Sequence, residues 1–246
     1  MRRTALRPGA RPGTRAGTRR QERGREDILA AAAGFVAEHG YHGMSMRDLA
    51  RATGQSLANL YNYFSSKDDL LYALQSRAFE SLLRTADEAV GAVAGSEARL
   101  YAFILNHVRY VASHPEVMRV LVHEAGALPA RHRQAVRALK ERYFRLGRDL
   151  VGALLRDAAA PVGRADPAGL ERATYSVFGM LNWVYGWYDP ARHGDPPAVA
   201  RTIHGMVLGG LVGRGASRRD QLAVERRAQD VAVLSPLRLH DKAVPA

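Results

Sequence analysis

Residues Ser45 to Lys67 read SMRDLARATGQSLANLYNYFSSK, and their spacing decides how the rest of the 246-residue chain is understood. Two short helices are expected here, joined at Thr53-Gly54-Gln55, where a glycine supplies the left-handed turn that lets the second cross the first steeply. Ala50, four residues before Gly54, is small where the two helices approach, and Leu49 and Leu60 meet as the core of the pair. Ser45-Met-Arg-Asp48 and Ser66-Lys-Asp-Asp69 each match the S-x-x-D capping box, so one opens the pair and the other opens the helix after it.

Working outward, Ile28, Leu29, Ala32, Phe35 and Val36 fall on one helical face, with Glu26 and Asp27 at the positive end of the dipole and His39-Gly40 as a stop. Downstream, Asp166-Pro167 and Asp195-Pro196 place an N-cap acid before a proline at the first helical position, and Pro115 and Pro129 open helices in the same way. Runs of alternating hydrophobicity bounded by hairpin turns do not occur, so an all-α fold is expected. Helices are read at about 25–39, 45–53, 56–63, 66–92, 96–113, 115–127, 129–159, 167–188 and 196–213. Residues 214–246 read as a loosely held tail with one short helix near 217–232.

Leu60-Tyr61-Asn62-Tyr63-Phe64, followed by Lys67-Asp68-Asp69-Leu70, resembles the helix-turn-helix of the TetR family of transcriptional regulators. The resemblance spans about residues 25–75, and beyond it only the layout of helices is similar. Gln55 departs from the family pattern, which has Val or Ile packing beneath the turn. The resemblance implies a three-helix DNA-binding domain at 25–70 and a larger effector-binding and dimerisation domain at 71–213. It also implies that helix 56–63, opened by Ser56, enters the major groove with Leu57, Ala58 and Asn59 facing base edges. Asn59 can bond an adenine edge in bidentate fashion, whereas Leu57 and Ala58 offer apolar contact. Tyr61, Asn62 and Tyr63 would reach phosphates or flanking bases, and Lys67 a phosphate at the start of the next helix. Arg47 is a candidate for guanine or phosphate, and Ser45 for a backbone contact as well as a cap. Phe64 reads as core, and Tyr61 and Tyr63 are open between core and interface.

Charge points the same way. Lys and Arg number 36 against 24 Asp and Glu, for a net +12. Nine of those arginines lie in residues 1–25 against the single acid Glu22, in a stretch rich in Gly and Pro that is expected to be a disordered basic arm over 1–24. Either a solubilising tail or a DNA contact fits that arm. The chain has no Cys, which excludes disulfides, thiolate metal sites and cysteine nucleophiles. The longest apolar stretch, Val177 to Tyr188, is too short to span a bilayer, and no signal-peptide pattern is present, so a cytoplasmic protein is expected. Catalytic motifs such as G-x-S-x-G and H-E-x-x-H are missing, so an enzyme is not expected, and no cofactor is called for. The rival reading is an architectural DNA binder that works without an effector.

In the C-terminal half, helix 167–188 carries apolar residues all round, which requires burial on both sides. Helix 196–213 carries Gly205, Gly209, Gly210 and Gly213, which permit close packing. In a TetR-like protein these two helices form a four-helix bundle with a second copy, giving a two-fold homodimer on a palindromic operator. Phe103, His107, Val111, Met118, Val122, Tyr143, Phe144 and Trp183, with Ile104, Val108 and Leu121, are candidates to line an effector cavity. His107 among apolar neighbours reads as a core histidine. The stretch from Leu181 to Pro190 resembles regulators of fatty-acid and steroid breakdown whose effectors are acyl-coenzyme A thioesters. On that reading Arg119, Arg131, Arg133, Arg145 and Arg148 are candidates for its phosphates, although solvated helix faces explain them equally.

Overall fold

The computed structural model describes residues 13–158 and 167–212, and every regular element among them is helical. Helix α1 spans Gly13–Gly43, α2 Met46–Ala52, α3 Leu57–Tyr63, α4 Lys67–Gly91, α5 Ser96–Ser113 and α6 Pro115–His123. Then follow α7 at Ala130–Asp157, α8 at Pro167–Trp183, a 3-10 turn at Val184–Gly186, α9 at Pro190–His193 and α10 at Pro196–Leu211. No helix among the described residues is long and apolar enough to cross a membrane.

The arm corrects one expectation. Helix α1 begins at Gly13, so residues 13–24 are helical instead of unstructured. Both prolines of the arm, Pro8 and Pro12, precede that point. The Arg, Ala, Gln and Glu that follow are good helix formers, and they extend backwards a helix whose nucleus is already supplied by packing from Ile28 onward. At its other end the backbone leaves helical geometry at Gly40, with φ 74° and ψ 162°, as the sequence stop requires.

The turn between α2 and α3 follows from its caps. Ser45 accepts from the Asp48 amide, Ser56 from Asn59 and Ser66 from Asp69, so three successive helices start on a serine oxygen. Gly54 sits at φ 64° with no atom near where a Cβ would stand, so the left-handed dihedral, and not lack of room, demands glycine. Leu49 and Leu60 are fully buried between the helices.

The long helix α4 carries the chain into the C-terminal body, where it packs against α5 and α7, while α10 lies along α5 and α8 against α7. One apolar cluster runs from Ile28 in α1 to Val207 in α10, so the two parts share a continuous core. Two further boundaries differ from the sequence reading. Helix α6 stops at His123, and the helix expected over 167–188 stops at Trp183. In the second case Asp189 accepts from the Ala191 amide at 2.9 Å and caps a separate α9 behind Pro190. A proline disfavours helical geometry in the residue before it, so this is the cap logic of Asp166-Pro167 and Asp195-Pro196 repeated. The helix expected near 217–232 and the tail lie outside the described residues.

Candidate nucleic-acid interface

Helix α3 is seven residues long, and its two sides are chemically distinct. Leu60 is buried completely and Phe64, which caps its end, is 3% exposed, so this side is the hydrophobic anchor. Ser56, Ala58, Asn59, Tyr61 and Asn62 are exposed, and Leu57 and Tyr63 are half-buried. Ser45 and Arg47, at the start of α2, are exposed as well. Of the two tyrosines, Tyr61 is exposed and Tyr63 is half-buried.

Lys67 differs from its companions. Its ammonium sits 4.2 Å from the centre of the Tyr41 ring and donates to the His42 carbonyl at 3.4 Å. Partial burial beside that ring lowers its pKa from the usual lysine range, with Asp68 and Glu124 pulling the other way. The side chain therefore ties α4 to the end of α1, and a phosphate would have to draw it out of that contact. Tyr41 itself donates to Asp68, and loss of water together with that carboxylate raises its pKa.

Sequence reasoning missed the role of Gln55. The Asn59 side-chain amide donates to Gln55 Oε1 at 2.6 Å, while the Gln55 backbone amide bonds the Ala50 carbonyl at 2.9 Å. Gln55 thus orients the Asn59 side chain and leaves one amide hydrogen and the carbonyl oxygen of Asn59 without this partner. The departure from the family pattern at this position was the only signal.

A small group of polar contacts adds to the shared apolar core where the domain meets the body. Glu124, just after α6, accepts from the Tyr41 amide at 2.9 Å, and its carbonyl accepts from Gln75 of α4 at 3.1 Å. At the start of α7, Arg131 and His132 approach Asp69 at 3.9 and 3.5 Å. Asp69 is held below the usual carboxylate range, chiefly by the Ser65 hydroxyl and then by Ser66, His132 and Arg131. The His132 ring stacks on Tyr72 at 4.4 Å.

The candidate effector residues do not share one space. Phe103, His107, Val111, Met118 and Tyr143 are buried with Ile104, Val108 and Leu121. The His107 Nδ1 lies 3.1 Å from the Tyr143 hydroxyl, its Nε2 has no hydrogen-bond partner, and burial pushes its pKa down to about 4. Phe144 is half-buried against Phe178 and Tyr175. Val122 and Trp183 are corrected: they are 41% and 61% exposed. Val122 follows buried Val120 and Leu121 round the narrow turn of α6, and Trp183 lies on the flank of α8 that faces a groove with Met180 and Met206. Of the arginines offered for phosphates, Arg133 and Arg145 rim a cleft of about 630 Å³ over Val136, Phe144 and Tyr175, whereas Arg131 and Arg148 each lie 3.9 Å from a carboxylate, of Asp69 and Asp149 respectively.

Comparison with known proteins agrees with this layout. Residues 28–74 match the model described as bacterial regulatory proteins, tetR family, and residues 94–211 match a tetracyclin repressor-like C-terminal domain. The fatty acid metabolism regulator protein of Bacillus subtilis is 24% identical over 75% of this chain and 93% of its own length. The repressor AcnR of Corynebacterium glutamicum is 42% identical over 50 residues, which is 20% of this chain and only 27% of that protein. Among solved structures, a TetR-family regulator from Bordetella parapertussis superposes with a TM-score of 0.69 at 27% identity, covering 78% of this chain and 98% of that one. AibR, solved with isovaleryl coenzyme A and operator DNA, shares the fold with a TM-score of 0.64 at 24% identity, over 77% and 98% of the two chains. The capped three-helix reader in front of a larger helical body, together with two family models that fall one on each part, establishes that this chain belongs to the TetR family of transcriptional regulators.

Proposed function

We propose that the chain is a repressor that holds a palindromic operator as a homodimer and lets go when a small molecule binds the C-terminal body. The observation that carries this reading is the two-sidedness of α3: Leu60 and Phe64 anchor it, and Ala58, Asn59, Tyr61 and Asn62 stand outward on one short, serine-capped helix. That is the form of a major-groove reader with apolar, amide and hydroxyl chemistry at the base edges.

Dimerisation is supported by what one chain leaves uncovered. Trp183 of α8 and Met206 of α10, which line one apolar groove with Met180 and Ile203, are 61% and 63% exposed. An exposed apolar groove of this kind marks an interaction surface. A second copy packed on α8 and α10 covers it and sets the distance between the two α3 helices.

The effector is read as an anionic amphiphile, of which an acyl-coenzyme A thioester is one. Arg133, Lys140 and Arg145 stand over the apolar floor of Val136, Phe144 and Tyr175, so phosphate and hydrocarbon would both find partners. Binding there would shift α7, whose first turn meets Asp69, while Glu124 joins α6 to α1 and α4; a change in the body thereby reaches both ends of the reader.

Selection of duplexes from a random pool by the full-length protein, followed by gel-shift competition with random DNA, tests the reading. A palindromic consensus bound orders of magnitude more tightly than random DNA is the expected result. Equal competition by random DNA instead supports an architectural binder. Thermal shift against acyl-coenzyme A thioesters tests the effector class, since a ligand at 100 times its Kd adds about 2.7 kcal/mol.

A further inference from the structure

The Arg-rich start of α1 does not stand free of the reader. The Gly24 backbone lies so close to Tyr63 that a Cβ there would fall 2.7 Å from the tyrosine hydroxyl, and the Arg25 guanidinium lies 5.2 Å from the Phe64 ring centre. Two consecutive residues thus seat α1 on the end of α3. Beyond that seat, Arg19, Arg20 and Arg23 are exposed and line one wall of a cleft of about 1340 Å³ whose other wall includes Tyr61, Asn62 and Tyr63. The acids of this cleft are Glu22 on the same helix and, further along, Glu26, Asp27, Asp69 and Glu80. Glu26 is paired with Arg77 at 3.0 Å and Asp69 with Ser65, Ser66 and the start of α7. None of Arg19, Arg20 and Arg23 forms an ion pair among the described residues, so the outer end of the wall keeps three unpaired guanidinium groups against Glu22.

Helical periodicity places Arg20 one turn, about 6 Å, before Gly24 on the same face, and Arg19 one turn before Arg23 on the next. The cationic groups are therefore carried on a rigid rod fixed to the reader, at the edge of the face that meets DNA. The geometry points to a second grip: Arg19, Arg20 and Arg23 bind the phosphate backbone flanking the bases that α3 reads. This rests on the DNA-binding reading of α3. The occupant is duplex DNA because Arg19, Arg20 and Arg23 line the same cleft as Tyr61 and Asn62 of α3, and planar guanidinium forks pair well with phosphate oxygens. Such contacts position the protein and add affinity without adding base preference. Rigid attachment also lowers the ordering entropy that a free basic tail would lose on binding.

The test uses the full chain, a duplex selected by it from a random pool, and a random duplex of equal length, with affinity measured over a range of salt. The variant is R19Q/R20Q/R23Q, which keeps helix-forming side chains on exposed positions; an unchanged melting temperature reports an intact fold. For the wild type, log Kobs falls with log salt. Each lost phosphate contact makes that slope shallower by about 0.9, hence by roughly 5 when the three arginines of both protomers are engaged. The expected result is this shallower slope on both duplexes with the ratio of selected to random binding unchanged. Affinity and slope equal to the wild type overturn the proposal, and so does a changed ratio at an unchanged slope, which would make the arginines base readers. Failure of the wild type to select any sequence overturns the reading of α3 instead, and leaves the slope comparison on random DNA to judge the arm.

Discussion

The two halves of the molecule use burial in opposite ways. In the N-terminal domain the chemistry is displayed: Asn59, Tyr61 and Asn62 stand on a short helix whose inner side is two buried residues, Leu60 and Phe64. In the C-terminal body polar chemistry is enclosed: His107 is 1% exposed, shares a hydrogen bond with Tyr143 and meets the edge of the Phe178 ring. A reader of DNA must meet a partner that stays outside, so its positions are surface positions held by caps. The enclosed pair leaves the His107 Nε2 without a hydrogen-bond partner, so its neutral form is the one the apolar interior tolerates.

The contrast can be broken at its deepest point. Phe103→Ala removes a fully buried ring that packs tilted on Tyr143 and edge-on to Phe178, and a loss of about 3–5 kcal/mol in denaturant unfolding is expected. DNA affinity of the fraction still folded is expected to stay within a few-fold, and a selective loss of operator binding would place Phe103 in the signalling path. Next in size is a pH effect. His107 protonates near 4 when folded and near the ordinary 6.5 when unfolded, so the unfolded chain binds more protons between those values. Stability contributed by the neutral ring is complete above about pH 6.5 and falls by on the order of 3 kcal/mol as pH drops towards 4. Unfolding measured across that window should be markedly flatter in His107→Phe than in the parent.

Two substitutions sharpen the other side of the comparison. Asn59→Ala is expected to cost about 1–3 kcal/mol at one operator position and little elsewhere, as read by binding to single-base operator variants. An equal loss on every sequence would reassign Asn59 to the backbone. Gln55→Val restores the residue type usual in the family and removes the partner of the Asn59 amide. Its effect is smaller, about 0.5–1.5 kcal/mol, and should appear at the same operator position as that of Asn59→Ala. Effects confined to different positions would mean that the two residues are not coupled.

What was legible from the chain itself was local. Gly54, the serines at 45, 56 and 66 and the spacing of Leu49 and Leu60 act within a few residues of themselves, so their meaning survives without knowing the fold. The all-α class, the reader and its outward face follow from them. Three things required the tertiary structure. Apolar periodicity shows that a residue prefers a partner but not which partner, so Val122 and Trp183, candidates for a cavity lining, are exposed on this chain. Composition averaged over residues 1–24 hid that the prolines end at Pro12, and only packing of Gly24 on Tyr63 shows where the helix then sits. The bond from Asn59 to Gln55, and the meeting of Glu124 with Tyr41 and Gln75, depend on which atoms the fold brings within about 3 Å, a distance that no pattern along the chain encodes.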